Sequence, residues 1–105
     1  MKKRILWVDD IRIPPFTLQC DIARDFDTAI NLLSNNNYDT IYLDHDLADF
    51  KDGKERTGYS IVLWLVERKL NGFPVPLTYT FLTSNPVGRK NMTAVIERYL
   101  TIGNI

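Results

Sequence analysis

Two short apolar runs stand out along the chain, at residues 5–8 and 40–43. Each has the length and the uninterrupted apolar character of a strand that is buried on both faces. Weaker segments at 21–24 and 77–82 predict two further short strands. The pattern therefore predicts four strands, and acidic residues directly follow the two strongest of them.

Apolar residues at helical spacing predict three helices between and after these strands. In the strongest of them, Ile61 and Leu65 recur on one face, and Asn71-Gly72 provides a C-terminal stop. The other two patterns are weaker, although Pro86 suits the first position of the last helix. The predicted helices run from Asp27 or Thr28 through Leu33, from about Tyr59 to Leu70, and from about Val87 to Leu100.

The connecting segments complete this picture. Pro14-Pro15 excludes a regular helix between the first two strands, and residues 48–57 are predicted as a polar loop. Strands that alternate with helices indicate a parallel sheet with right-handed crossovers. If the first and third strands lie side by side, these crossovers give the strand order 2-1-3-4, with helices on both faces.

Composition narrows the class of protein. The 105 residues fit one domain, 1–105. Thirteen basic and thirteen acidic side chains give a net charge of zero, so we expect neither nucleic acid nor membrane as a partner. No signal peptide is visible, and no apolar run reaches the roughly 18 residues of a membrane span. The single Cys20 fits a reducing compartment, which predicts a cytoplasmic protein.

Acidic residues after adjacent parallel strands converge, because the carboxyl ends of such strands share one edge of the sheet. Asp9-Asp10 and Asp44-His45-Asp46 both occupy such positions. Crowded carboxylates repel each other, and a hard divalent cation such as Mg²⁺ or Mn²⁺ removes the repulsion. The alternative is that these acids simply meet water and cap the next element. We favour a metal-binding site, since two acidic groups end two clean apolar runs.

Other residues near this edge allow more than one interpretation. His45 is either a general acid or base or a hydrogen-bonding partner of its neighbours. Arg12 either binds an anion or forms a salt bridge with a neighbouring aspartate. Arg89 either binds an anion or belongs to a solvated helix start. The last helix begins near Gly88, where free N–H groups suit a phosphate. Cys20 is interpreted as a small apolar residue rather than a nucleophile.

Several motifs together resemble the cyclic-phosphate-processing receiver-like domains, which are divergent relatives of two-component receiver domains. The resemblance covers roughly residues 4 to 95. The matching segments are Leu6-Trp7-Val8-Asp9-Asp10-Ile11-Arg12-Ile13-Pro14, Tyr42-Leu43-Asp44-His45-Asp46-Leu47, Thr57-Gly58-Tyr59, and Ser84-Asn85-Pro86-Val87-Gly88 with Met92.

The resemblance implies a truncated, flavodoxin-like three-layer α/β fold and a common role for the acidic residues. Asp9 and Asp10 would hold Mg²⁺, and Asp44 would stand where receivers carry their phosphoacceptor. Two departures matter. Receivers end with a fifth strand that bears a lysine, whereas this sequence stops at Ile105, and Leu82 replaces a histidine of the family pattern.

The expected function is metal-dependent hydrolysis of a cyclic nucleotide or other cyclic phosphate, in nucleotide signalling or phage–bacterium conflict. A phage-encoded protein would act in the host cytoplasm. The alternatives are a phosphoacceptor receiver and a non-enzymatic domain that binds a host or signalling protein. The predicted residues are Asp44, His45 and Asp46 for catalysis; Arg12, Thr83, Asn85, Gly88 and Arg89 for phosphate; and Asp9, Asp10 and Asp44 for the metal.

Overall fold

The computed structural model describes residues 4–100. The predicted four strands and three helices are present, and an unpredicted pair of short strands is added between the third strand and the second helix. The elements are β1 Ile5–Val8, β2 Asp21–Ala23, α1 Phe26–Asn35, β3 Thr40–Leu43, β4 Asp49–Lys51, β5 Lys54–Arg56, α2 Gly58–Leu70, β6 Thr78–Phe81 and α3 Pro86–Val95, which continues as a π-helical turn, Ile96–Leu100.

The main sheet is parallel and has the order β2-β1-β3-β6, so the predicted strand order is confirmed. Val8 pairs with Leu43, which brings the ends of β1 and β3 to the same height. The ladder continues one residue further, because the Asp44 amide donates to the Val8 carbonyl at 2.9 Å. The chain therefore delivers Asp9 and Asp44 to one edge of the sheet.

In the described residues, all three helices lie on one face of the sheet rather than on both faces as predicted. α1 contacts α2, and α2 contacts α3. The two crossovers that contain helices run in the same direction across the sheet, and right-handed crossovers of one direction share a face. The connection between β1 and β2 runs the other way, and it carries Pro14-Pro15 instead of a helix.

The hydrophobic core fills the space between the helices and this face of the sheet. Alternate residues of the strands contribute side chains from the sheet, and one face of each helix contributes side chains from the other side. Its central members are Leu6, Val8, Ile41, Leu43, Ala29, Leu33, Ile61, Leu65 and Met92. On the opposite face Trp7 and Tyr42 stack with their ring centroids 5.4 Å apart.

The segment predicted as a polar loop contains an antiparallel hairpin, β4 with β5. Asp52 and Gly53 form its two-residue turn, with φ angles of 53° and 77°. An Asp-Gly pair suits this turn because both positions need positive φ. No helix in residues 4–100 is long and apolar enough to cross a membrane.

Candidate metal and phosphate site

Three carboxylates meet at the edge of the sheet. Asp9, Asp10 and Asp44 each offer an oxygen atom, and these oxygens lie within 4.8 Å of one another. The predicted convergence of the two acidic segments is therefore confirmed. Asp9 and Asp44 are buried and Asp10 is half-buried, so two of the three residues are sheltered from water. Oxygen ligands at this spacing suit a hard divalent cation, and the binding of one stays a prediction.

Asp9 is fully buried and organises the loop that follows β1. Its Oδ1 accepts hydrogen bonds from the amides of Ile11 and Arg12, at 2.9 and 2.8 Å. Its Oδ2 accepts one from Arg12 Nη1 at 2.9 Å. Burial raises the pKa of Asp9, but the hydrogen bonds from Arg12 and Ile11 outweigh burial and hold the pKa below its ordinary value. Asp9 is therefore an ionised group with structural partners of its own.

Asp44 lies in a different electrostatic environment. Burial and the neighbouring Asp9 carboxylate raise its pKa above the ordinary value, against the opposing effects of Arg12 and the Thr83 hydroxyl. Arg12 is the nearest cation, with Nη1 3.5 Å from Asp44 Oδ2. The negative charge of Asp44 is therefore only partly compensated in the absence of an ion.

Arg12 was predicted either to bind an anion or to form a salt bridge, and the structure shows the salt bridge. The same Nη1 contacts both Asp9 and Asp44. The backbone of Arg12 is fixed as well, because its carbonyl accepts hydrogen bonds from Trp7 Nε1 at 3.1 Å and from Arg24 Nη1 at 2.7 Å. The side chain is 45% exposed, so part of the guanidinium faces solvent at the mouth of the site.

His45 and Asp46 form a connected pair with the start of α3. His45 Nδ1 lies 3.0 Å from Asp46 Oδ1, and Asp46 Oδ2 accepts from Asn85 Nδ2 at 3.3 Å. The hydrogen bond with His45 lowers the pKa of Asp46, so this carboxylate is ionised near neutral pH. Asn85 also caps α3, because its Oδ1 accepts from the Gly88 amide at 2.9 Å. The network links the segment after β3 to the segment after β6.

Gly88 makes room for His45 rather than for a ligand. A Cβ atom at this position would lie 2.5 Å from Cγ of the His45 ring. The Gly88 amide is also taken by the Asn85 cap, and Pro86 has no amide hydrogen to donate. Arg89, the next residue, places its guanidinium 5.6 Å from the centre of the Phe81 ring. Three of the residues predicted to bind phosphate, Asn85, Gly88 and Arg89, are not among the residues that line the acidic cleft.

The acidic cluster opens into a cleft of about 530 Å³. Of the predicted site residues, Asp9, Asp10, Arg12, Asp44, Asp46 and Thr83 line it. The other lining residues were not predicted from the sequence as site residues, and they are Ile11, Ala48, Phe50, Glu55 and Ser84. Two of these residues, Phe50 and Glu55, belong to the hairpin that was predicted as a loop, so the Asp52-Gly53 turn was the one signal that pointed to them.

An ion-pair cluster holds this hairpin against α1. Arg56 binds Asp27 through two hydrogen bonds, at 2.9 and 3.1 Å, and binds Asp49 at 2.8 Å. Asp49 also accepts from the Phe26 amide at 2.8 Å. The hydrogen bond with Arg56 lowers the pKa of Asp27. The position of the hairpin beside the cleft is therefore set by charged contacts.

A family model described as the cyclic-phosphate processing receiver domain matches residues 4–98. The chain belongs to this family. The match includes every element from β1 to α3 and ends within the π-helical turn. No curated protein and no solved structure matches the chain significantly.

In this cyclic-phosphate processing receiver domain, Leu82 stands near the acidic edge but outside the cleft. Its amide donates to the Leu43 carbonyl at 3.0 Å, which extends the pairing of β6 with β3. The side chain is half-buried, and it belongs neither to the cleft wall nor to the main core cluster. Besides the three clustered carboxylates and Arg12, the titratable groups that line the cleft are Asp46 and Glu55, and His45 contacts Asp46.

Proposed function

We propose that this domain binds Mg²⁺ or Mn²⁺ at Asp9, Asp10 and Asp44 and hydrolyses a cyclic nucleotide or another cyclic phosphate. The observation that carries the proposal is the convergence of three carboxylates within 4.8 Å at the edge of the sheet. Among the described residues, one guanidinium, that of Arg12, forms ion pairs with these carboxylates, so two negative charges lack an ion-pair partner when all three are ionised. A divalent cation would neutralise them.

The donor set fits a hard cation. All three groups are carboxylates, and Mg²⁺ and Mn²⁺ prefer oxygen ligands. A carboxylate offers about four acceptor positions, of which Asp9 already uses three. Asp10 and Asp44 therefore supply most of the free oxygen positions, and Asp9 mainly fixes the geometry around them. When bound, such an ion polarises a phosphoryl oxygen and weakens its repulsion of an incoming nucleophile.

The remaining roles fall to residues of the chain that line the cleft. Arg12 has N–H groups beyond the one shared by the two aspartates, and these can bind phosphate oxygens. Thr83 and Ser84 also line the cleft. Asp46 lines the cleft and is ionised, so it can orient a water molecule and, although its lowered pKa makes it a weak base, take the proton as the bond to phosphorus forms. His45 fixes Asp46, and Asn85 holds its second oxygen.

The reaction is a simple hydrolysis. The water oxygen forms a bond to phosphorus, and the bond between phosphorus and one ester oxygen of the ring breaks. The proton leaves the water for Asp46, and the freed ester oxygen takes up a proton to become a hydroxyl group. The product is a phosphate monoester or, from a cyclic dinucleotide, an opened diester.

Family membership supports cyclic phosphate as the substrate class, since the family is described as processing such groups. A role in nucleotide signalling or phage–bacterium conflict, and action in the cytoplasm, are parts of the same proposal that rest on the family resemblance. A host or signalling protein as a further partner belongs to the proposal on the same basis.

The test is turnover of a panel of cyclic mono- and dinucleotides in the presence of Mg²⁺ or Mn²⁺. Asp10→Asn is the informative variant, because Asp10 makes no side-chain hydrogen bond within residues 4–100 and its loss should leave the fold intact. We expect it to abolish metal-dependent turnover. Asp52→Asn is the matched control, since it removes the same charge at the hairpin turn, where Asn tolerates positive φ. Absence of both turnover and binding across the panel would contradict the proposal.

Phosphorylation of Asp44 is the second candidate function. The observation that favours it is the placement of Asp44 at the end of β3, beside the Thr83 hydroxyl and with Arg12 3.5 Å away. Treatment with a small phosphodonor followed by intact-mass analysis separates the two functions. A phosphate adduct that disappears in Asp44→Asn supports the receiver function, and unmodified protein with turnover of a cyclic phosphate supports hydrolysis.

A further inference from the structure

Phe50 occupies an unusual position for an aromatic side chain. It is 66% exposed, and it lines the wall of the acidic cleft. Ile11 lines the same cleft and is 78% exposed. Cation and phosphate binding need charged and polar groups, so these two apolar side chains have no task in the chemistry proposed above. Their position indicates that the cleft also receives an apolar part of the ligand.

The register of the hairpin determines which of its side chains face the cleft. Phe50 lies opposite Glu55, and both line the cleft. The next pair, Asp49 and Arg56, lies on the other face of the hairpin, because neighbouring residues alternate along a strand. That second face is the one fixed to α1 by the contacts with Asp27 and the Phe26 amide. The hairpin thus has one anchored face and one face presented to the ligand.

The chemistry of this presented face matches a nucleobase. A phenyl ring can stack on the flat face of any base, so this contact does not depend on which base the ligand carries. The Glu55 carboxylate can only accept hydrogen bonds when ionised, so it suits the N–H groups at the edge of a base. It also repels a second phosphate group. A cleft of about 530 Å³ leaves space for a base and a sugar beside the acidic cluster.

We propose that Phe50 stacks on the base of a cyclic mononucleotide and that Glu55 accepts hydrogen bonds from the N–H groups of that base. This inference rests on the proposed function for the phosphate end of the ligand. It narrows the substrate class from cyclic phosphates in general to cyclic mononucleotides.

The experiment compares ligands with and without a base, by calorimetric titration of the full chain with Mn²⁺ present. The ligands are 2′,3′-cyclic AMP and 3′,5′-cyclic AMP, and the base-free controls are the methyl ribosides with the same cyclic phosphates. Loss of one stacking contact weakens binding about 5- to 150-fold. We therefore expect Phe50→Ala to weaken binding of the cyclic AMP isomers by about tenfold or more and to leave binding of the base-free ligands unchanged.

Two further variants isolate the contribution of the ring. Phe50→Tyr keeps the ring and should bind like the wild type, and Phe50→Leu keeps apolar surface without a ring and should bind like Phe50→Ala. Phe16→Ala is the matched control, since Phe16 is 98% exposed and does not line the cleft. Glu55→Gln should weaken binding of the cyclic AMP isomers about two- to tenfold, which is the range for one hydrogen bond. It should not change the affinity for the base-free ligands.

The outcomes distinguish this inference from the proposed function. Equal wild-type affinity for ligands with and without a base would overturn the role of Phe50 while the proposed function stands. An equal loss of both ligands in Phe50→Ala would also overturn it, because Phe50 would then only shape the cleft. A wild-type protein that binds Mn²⁺ but none of the four ligands would overturn both.

Discussion

Two segments flank the acidic cleft, and they are held in place in different ways. The loop between β1 and β2, residues 9–20, is organised from inside by the buried Asp9 carboxylate, whose bonds to Ile11 and Arg12 are sheltered from water. The hairpin, residues 49–56, is held against α1 by the ion pair of Arg56 with Asp27, whose side chain is 68% exposed, and by the hydrogen bond from the Phe26 amide to Asp49. Solvent and salt screen ion pairs near the surface but screen buried contacts much less.

The two segments contribute different groups to the cleft. The loop carries Asp10 and Arg12, so its conformation determines where these charged groups lie. The hairpin carries Phe50 and Glu55, so its position sets which ligand fits beside that charge. Changes at Phe50 and Glu55 can therefore alter ligand preference without removing the contacts that hold the hairpin, whereas changes at Asp9 disturb the fold and the site together.

The largest effect should follow Asp9→Ala. The substitution removes three hydrogen bonds to a buried charged acceptor, and we expect a loss of about 2–4 kcal/mol in the free energy of unfolding. Thermal unfolding without metal measures the loss. Asp10→Ala is the control, and it should melt at the same temperature as wild type or higher, because it removes repulsion and no hydrogen bond. A destabilised Asp10→Ala would show that Asp10 has structural partners.

Metal binding should have the next largest effect. An ion that binds only the folded state stabilises it by about 2.7 kcal/mol at a hundredfold excess over Kd. Mg²⁺ or Mn²⁺ should therefore raise the Tm of wild type by several degrees, and Asp10→Asn should abolish the rise. The rise should persist in Asp52→Asn. Equal rises in wild type and Asp10→Asn would place the ion elsewhere.

Loosening the hairpin should have a smaller and more selective effect. Asp49→Asn weakens the contacts with Arg56 and the Phe26 amide, and we expect a loss of about 1–2 kcal/mol. The Tm rise caused by Mg²⁺ should stay close to that of wild type, because the three carboxylates are unchanged. Discrimination between ligands with and without a base should fall. A reduced metal response in this variant would show that the two segments are coupled.

The smallest effect concerns pH in the absence of metal. The pKa of Asp44 is raised in the folded state above its ordinary value of 3.8, so the folded protein binds this proton more tightly than the unfolded chain does. The contribution to stability is therefore present at low pH and is lost as pH rises through the folded pKa of Asp44. The pKa of Asp9 is lowered, so its own contribution is lost as pH falls through its folded pKa, below 3.8.

Asp44 should thus make the metal-free protein lose stability as pH rises above 3.8, a range in which Asp9 already makes its full contribution. Chemical denaturation with a chelator at a series of pH values from 4 to 7 measures the loss, which should shrink in Asp44→Asn. Saturating Mg²⁺ should reverse the trend, because the ion competes with the proton for Asp44. Stability that rises from pH 5 to pH 7 in wild type without metal would contradict the assignment.

Much of the fold and of the acidic cluster could be predicted from the sequence. Strands buried on both faces leave continuous apolar runs, and residues 5–8 and 40–43 show them clearly. Parallel neighbours share their carboxyl ends, so the convergence of Asp9, Asp10 and Asp44 followed from strand order alone. Helices were predicted on both faces of the sheet. The second face would need a helix between β1 and β2, and the two prolines of that connection exclude one.

The rest of the site depends on contacts between distant segments. The His45 ring covers Gly88, which lies 43 residues later, and no local pattern encodes that contact. The strands of the hairpin have only three residues each, and apart from Phe50 they are polar, so they lack the apolar alternation that marks a strand. Their position depends on a salt bridge from Arg56 to Asp27, which precedes it by 29 residues.

The indole of Trp7 gives the protein a built-in optical reporter. It lies in β1 two residues before Asp9 and is nearly excluded from solvent. Its Nε1 donates a hydrogen bond to the carbonyl of Arg12, whose guanidinium contacts both Asp9 and Asp44. Any rearrangement of Arg12 when an ion or phosphate arrives therefore changes the surroundings of this fluorophore. The second tryptophan, Trp64, sits on α2 beneath the Arg68 guanidinium and serves as an internal reference. Ligand arrival can thus be followed by emission from the unlabelled chain.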